Sequence, residues 1–196
     1  HETDPQSAKA VRAIHEQGAK VSELVDKLLS YTTIETPDIQ ISFQPVEVDS
    51  AIKDALQSLE GALAARGAKV DSEPASMTVM GDRRMITEAT KNLIENAVKF
   101  NPSAQPPVTI RAMSMGDWTT ISVADTGPGV PPEDLERVFS GFHQVEKDFT
   151  GQKEGLGLGL AFVKKVAALH GGSVVMRSKL GEGTLVTLTL PNRKPS

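Results

Sequence analysis

Apolar residues follow two different periods along the chain. From Ser7 to about Ile34, Val11, Ile14, Gly18, Val21, Val25, Leu28 and Thr32 recur at alternating spacings of three and four, and Leu24 and Leu29 widen the stripe. This is the a/d seam of a coiled-coil or bundle helix. Such a helix cannot bury its seam alone, so it needs partner helices from upstream sequence or another subunit. Ser7 can cap its start, and Thr36-Pro37-Asp38 ends it, because the residue before a proline is pushed out of helical geometry. After that the pattern shortens. Val46 and Val48 alternate as a strand; Asp49 or Ser50 can cap a helix over 51–65 that Gly67 stops; strands follow at 69–72 and 77–80. Asp82 can cap a helix with Ala89 and Leu93 on its core side, ended by Asn101-Pro102. Alternating segments 108–113 and 118–124 flank Gly116-Asp117, a hairpin turn pair. A short helix is expected at 132–139 and another at 160–170, closed by Gly171-Gly172. A final hairpin pairs 173–178 with 185–190 across Gly181-Glu-Gly-Thr184. The order predicts an α+β fold: a two-layer α/β sandwich with a mixed, mostly antiparallel sheet and helices on one face, preceded by a long coiled-coil-like helix. The expected division is a long helical arm over 1–36, a linker over 37–44, a compact domain over 45–191 and a tail over 192–196.

The chain has 196 residues, enough for one compact domain with an appendage. A net charge of -4 argues against a nucleic-acid binder, whose affinity rests on Lys and Arg neutralising phosphates. With no cysteine, disulfides and thiolate metal sites are excluded and a cytoplasmic setting is the default. No apolar run reaches the roughly 20 residues needed to cross a bilayer. This piece is expected to be soluble and without membrane contact, although its parent could be anchored in an inner membrane.

Four stretches carry chemistry. Asn92, Asn96 and Lys99 fall at i, i+4 and i+7, so on a helix two carboxamides and an ammonium share one face, with Leu93, Ile94, Ala97 and Val98 covering much of the opposite side. A polar stripe of that kind suits a metal-bound polyphosphate. Asp125 follows a strand and precedes Thr126-Gly127-Pro128-Gly129. Glycines there let a flat ligand approach, and the carboxylate can accept from an amino group; the same residues could form a plain turn. Gly155-Leu156-Gly157-Leu158-Gly159 runs straight into a helix, whose exposed amides and dipole attract phosphate. Its spacing fits neither the dinucleotide fingerprint nor a Walker A loop. Thr184 closes the Gly181 turn, where it could hold a water beside Asp125; alone it is an ordinary glycine turn.

In this order the four stretches closely resemble the N, G1, G2 and G3 boxes of the Bergerat-type ATPase superfamily, in particular the catalytic domain of bacterial sensor histidine kinases. Val138-Phe139-Ser140-Gly141-Phe142 resembles the F box and Leu169-His170-Gly171-Gly172 the usual helix end. The 7–34 helix resembles the second helix of the dimerisation domain that precedes it. The resemblance implies that Asn92 and Asn96 position Mg²⁺ against the phosphates of ATP, that Lys99 contacts those phosphates, and that Phe100 lies beside the nucleotide. It implies that Asp125 receives the adenine amino group, with Thr184 completing the contact through water. Gly127 and Gly129 give the loop its approach; Gly155, Leu156, Gly157, Leu158 and Gly159 start the phosphate-facing helix; 143–154 form an ATP lid. It further implies a homodimer and a response regulator as partner.

Asn92 separates subclasses. Gyrase, MutL and chaperone relatives carry a water-activating glutamate there, and an amide cannot act as a base, which favours phosphoryl transfer over hydrolysis. The chain also departs from the pattern. The acceptor histidine of the family opens a His-Glu-x-x-x-Pro motif. His1-Glu2 begins like it, but Pro5 comes one residue early; His15-Glu16 has no proline and sits on the wrong helix. Gly141 and Gln144 stand where many members carry arginines, and Leu156 where serine or threonine is frequent. The acceptor histidine is therefore expected outside this chain. Two other readings stay open: a nucleotide-binding scaffold that signals without phosphoryl transfer, and a hydrolysing ATPase.

Overall fold

The computed structural model describes residues 5–36, 39–73, 75–143 and 156–194. Helix α1 spans Pro5–Glu35. Most of its seam faces solvent: Val11, Ile14, Val21, Val25 and Leu28 are all exposed, as expected of a helix lacking its partners. Its last turn behaves differently, because Ile34 is buried in the core of the remaining chain.

A five-stranded sheet carries that core, in the order β2 (Lys69–Ser72), β4 (Pro107–Met115), β5 (Trp118–Asp125), β7 (Gly183–Pro191), β6 (Ser173–Lys179). Strand β2 runs parallel to β4 and the other neighbours are antiparallel, so the sheet is mixed and mostly antiparallel as expected. A separate pair joins β1 (Gln44–Glu47) to β3 (Thr78–Gly81). One face of the large sheet presents Val108, Ile110, Ile121, Val123, Val186, Leu188 and Leu190, all buried. Helices α2 (Val48–Ser58), α4 (Arg83–Lys99) and α5 (Gly159–Leu169) cover it through Ala51, Ile52, Ile86, Leu93, Ile94, Val163 and Val166. Removing that surface from water is the main stabilising term.

Several local expectations are corrected. Val48 does not extend β1; it is fully buried and opens α2, so neither Asp49 nor Ser50 is the cap, a position held by Glu47 without a side-chain bond. The helix expected over 51–65 is broken at Leu59 into α2 and α3 (Glu60–Ala65), and Leu59 itself is buried. The expected helix over 132–139 is two short 3₁₀ turns, Pro132–Asp134 and Arg137–Phe139. Asp82 does cap α4, its carboxylate accepting from the N–H groups of Arg84 and Met85.

The end of α5 is tied to the start of α4 by His170, which is completely buried. Its Nδ1 bonds the Val166 carbonyl at 2.7 Å, and its Nε2 accepts the Asp82 N–H at 2.9 Å. That pairing requires the neutral ring with its proton on Nδ1. Burial holds the pKa below the ordinary value of 6.5, against the opposing effects of the Val166 bond and the Asp82 charge. An unfolded histidine takes up a proton below about pH 6.5 while the buried one resists, so stability present above that pH falls as pH drops toward the folded pKa. His170→Gln is expected to lower Tm at about pH 7.5 yet to lose less further stability than the wild type on acidification to about pH 5.5. Thermal melts at the two pH values check this; equal acid losses in both proteins would show that His170 is not the titrating group.

Candidate functional site

Where the helical layer ends, the core face of the sheet turns polar. Val123, Val186 and Met176 lie side by side in register, and the next row on the same face is Asp125, Thr184 and Ser178. Asp125 accepts the Gly127 N–H at 2.7 Å and also a bond from the Thr184 N–H. Burial nevertheless holds its carboxyl above the usual carboxylate range, with the two N–H bonds acting the other way. The bond to the Gly127 N–H is an Asx-turn, and the half-buried carboxylate is held at the end of β5 by it and by the Thr184 N–H.

The glycines around it mark close backbone approaches. A β-carbon on Gly127 would lie 2.7 Å from Asp125 Oδ1 and 3.6 Å from the Phe100 carbonyl oxygen, so the G1-like loop abuts the end of α4. Gly129, at φ +74, lies against the Lys179 carbonyl. Asn101, just past α4 and buried, donates through Nδ2 to Thr126 Oγ1 at 3.4 Å and accepts the Ser103 N–H at 3.0 Å. It locks the end of α4 to the loop.

On α4, Asn92 is buried, not displayed on an open stripe. The start of α5 covers it: a β-carbon on Gly159 would sit 2.9 Å from Asn92 Oδ1 and 3.6 Å from Asn96 Nδ2. Asn92 Nδ2 donates to the Glu88 carbonyl at 2.9 Å, which turns Oδ1 toward the α5 N-terminus. Asn96 and Lys99 are half-buried, and the Lys99 ammonium stands 5.2 Å from the centroid of the exposed Phe100 ring. Gly157, at φ +69, is pressed against the His143 carbonyl, so the two described ends of the lid stretch meet. Leu156 is half-buried and Leu158 buried there. Gly155, Gln144, the rest of the lid and His1 lie outside the described residues; His15 is exposed on α1.

Asn92, Asn96 and Gly159 thus meet at one end of the site, and Asp125, Gly127, Gly129 and Thr184 at the other. Among the described residues no group of three or more His, Asp or Glu converges as a metal site. An amide oxygen is a hard donor suited to Mg²⁺. The sequence reading missed Ser178, Asn101 and the contacts of α1. Lys27 of α1 pairs with Glu95 on α4 at 2.9 Å, Glu35 with Lys165 on α5 at 3.4 Å, and Tyr31 packs edge-on against Phe142 with ring centroids 6.4 Å apart. Phe142 holds φ +64, unusual for an aromatic residue. Counting back across the Gly181-Glu182 turn would have found Ser178 opposite Thr184.

The profile of the family described as histidine kinase-, DNA gyrase B-, and HSP90-like ATPase matches residues 81–194, more than half of the chain. The chain belongs to this family. Several of the curated relatives are named as histidine kinases, and this chain is the catalytic ATP-binding domain of a sensor histidine kinase. Histidine protein kinase DivJ of Caulobacter vibrioides is 33% identical over 186 residues, covering 94% of this chain and 31% of its own length. ShkA, solved full-length in complex with AMPPNP, superposes with a TM-score of 0.80 at 26% identity, over 100% of this chain and 41% of that one. Histidine kinase ThkA in complex with the response regulator protein TrrA matches in fold, with a TM-score of 0.73 at 20% identity, over 98% of this chain and 54% of that one. The chain spans less than half the length of the curated relatives it matches. Among the described residues no helix is long and apolar enough to cross a membrane.

Proposed function

We propose that this domain binds ATP with Mg²⁺ between α4 and the start of α5, and that in the full-length protein the γ-phosphoryl group passes to a histidine outside this chain and then to an aspartate of a response regulator. The observation that carries the reading is the meeting of Asn92 and Asn96 with Gly159. It puts the Asn92 amide oxygen and the Asn96 amide group beside a helix N-terminus, where backbone N–H groups and the dipole favour phosphate. Asn92 and Asn96 would hold Mg²⁺ together with the phosphates, and the metal would neutralise charge on the transferred group. Lys99 adds a cation to the same end, while Asp125 receives the base amino group at the other and Thr184 completes that contact through water.

Residue 92 sets the chemical outcome. An amide cannot take a proton from water, so the site supports transfer by positioning and charge neutralisation in preference to hydrolysis. The exposed seam of α1 supports pairing with upstream helix and with a second copy, giving a homodimer whose division is a dimerisation helix over 1–36, a linker over 37–44, the catalytic domain over 45–191 and a tail over 192–196. A cytoplasmic location, where ATP and a regulator are available, goes with this reading. Incubating the full-length parent with γ-phosphate-labelled ATP is expected to leave acid-labile label on protein. Release of inorganic phosphate without labelled protein would point to a hydrolase, and nucleotide binding with neither would point to a scaffold. On this chain alone, Asn96→Ala is expected to cut Mg²⁺-dependent affinity for an ATP analogue about tenfold while metal-free affinity changes less than about threefold.

A further inference from the structure

Ser178 bonds three partners from the half-buried row beside Asp125. Its Oγ accepts the Val130 N–H at 2.8 Å, lies 2.9 Å from the Gly183 carbonyl oxygen, and lies 2.9 Å from Thr184 Oγ1. A serine hydroxyl has one hydrogen and two lone pairs. The Val130 N–H occupies one lone pair. A carbonyl oxygen can only accept, so the Ser178 hydrogen goes to Gly183, and the second lone pair is left for the Thr184 hydroxyl. The opposite assignment would leave two acceptors, Ser178 Oγ and the Gly183 carbonyl, facing each other without a hydrogen. All three contacts are satisfied only when Thr184 donates to Ser178.

This fixes what the row shows to a ligand. The Thr184 hydrogen is spent on Ser178, so its oxygen presents lone pairs. The Asp125 carboxylate is acceptor-only and keeps capacity beyond the N–H groups of Gly127 and Thr184. We propose that Ser178 sets base selectivity: by taking the Thr184 proton it makes the Asp125–Thr184 pair acceptor-only, so the site selects a purine nucleotide with an exocyclic amino group over one with a carbonyl at that position. Ser178 is a positioning residue, since it acts through Thr184. The inference rests on the nucleotide-site reading above. Without Ser178 the Thr184 hydroxyl can turn its hydrogen toward the base or the bridging water, and the discrimination falls to what the Asp125 carboxylate supplies.

The test is displacement of a fluorescent ATP analogue from this chain by ATP and by ITP, both with Mg²⁺, in the wild type, Ser178→Ala, Ser178→Cys and Ser178→Thr. The wild type is expected to prefer ATP by at least about tenfold, since a site built to bond a donor rejects an analogue lacking it. Ser178→Ala and Ser178→Cys, the second a space-filling weak acceptor, should lower the ratio at least about threefold, and Ser178→Thr, which keeps the hydroxyl, should retain it. A purely structural role would weaken both nucleotides by the same factor, and that result, or an unchanged ratio in Ser178→Ala or Ser178→Cys, overturns the proposal. A wild type that binds both nucleotides equally overturns the Asp125 base assignment itself, a failure distinct from that of Ser178.

Discussion

Asp125→Asn is expected to weaken binding of a fluorescent ATP analogue ten- to a hundredfold while leaving Tm close to wild type. The carboxylate accepts from two backbone N–H groups and retains lone pairs for a ligand amino group. The amide has one oxygen and one donor nitrogen, so one of those three donors must face an NH₂. A hydrogen bond to a charged group contributes about 1.5–3 kcal/mol, which sets the range. Stability is spared because the same burial that raises the Asp125 pKa makes the charge costly to hold in the empty site. Protonation removes the acceptor, and with the pKa raised, affinity is lost at a higher pH than an exposed aspartate would give. Equal affinity in the variant would remove the adenine assignment.

Gly183→Ala is expected to destabilise the fold by about 3 kcal/mol or more, lowering Tm by roughly 6–12 °C. Gly183 adopts φ +115, which side chains rarely tolerate, and its β-carbon would run into the Asp125 carbonyl oxygen, with Thr126 Cα only 2.9 Å away. These are backbone atoms of β5 and of the loop after it, and they cannot rotate aside. Gly181 is the control. It has φ +78 but nothing within 4 Å of an added β-carbon, so Gly181→Ala carries only the conformational cost of about 1 kcal/mol. Comparable melts for the two variants would show that strain at φ, not the approach to β5, sets the effect.

Much of this was legible in sequence. The asparagine pair, Asp125 with its glycines, the triple-glycine run and Thr184 point to a candidate site because each residue type meets a local chemical need. The hairpin at Gly116-Asp117 and the Asp82 cap were readable for the same reason. What escaped depends on partners far along the chain. Asn92 looked like part of an open stripe, and only the packing of Gly159 against it puts it under cover. Leu59, two residues before Gly61, separates α2 from α3 and is itself buried, so the break shows only in the fold. His170 read as a helix end, although its burial and the bond from Asp82 tie two helices together. Ser178 gave no local signal, since its role comes from cross-strand register.

The His170 tie also has a mechanical consequence. Helix α5 is anchored at its C-terminal end to the start of α4, while its N-terminal end faces Asn92 and Asn96. Any tilt of α5 about His170 as a fulcrum would therefore be largest at Gly159. An arm of 11 residues is about 16 Å long. A tilt of about 5° at the fulcrum moves Gly159 by about 1.4 Å, enough to spoil or restore phosphate alignment, where an error of about 1 Å costs on the order of a hundredfold in rate. The Glu35–Lys165 pair joins α1 to this helix between that anchor and the end where the phosphates would sit.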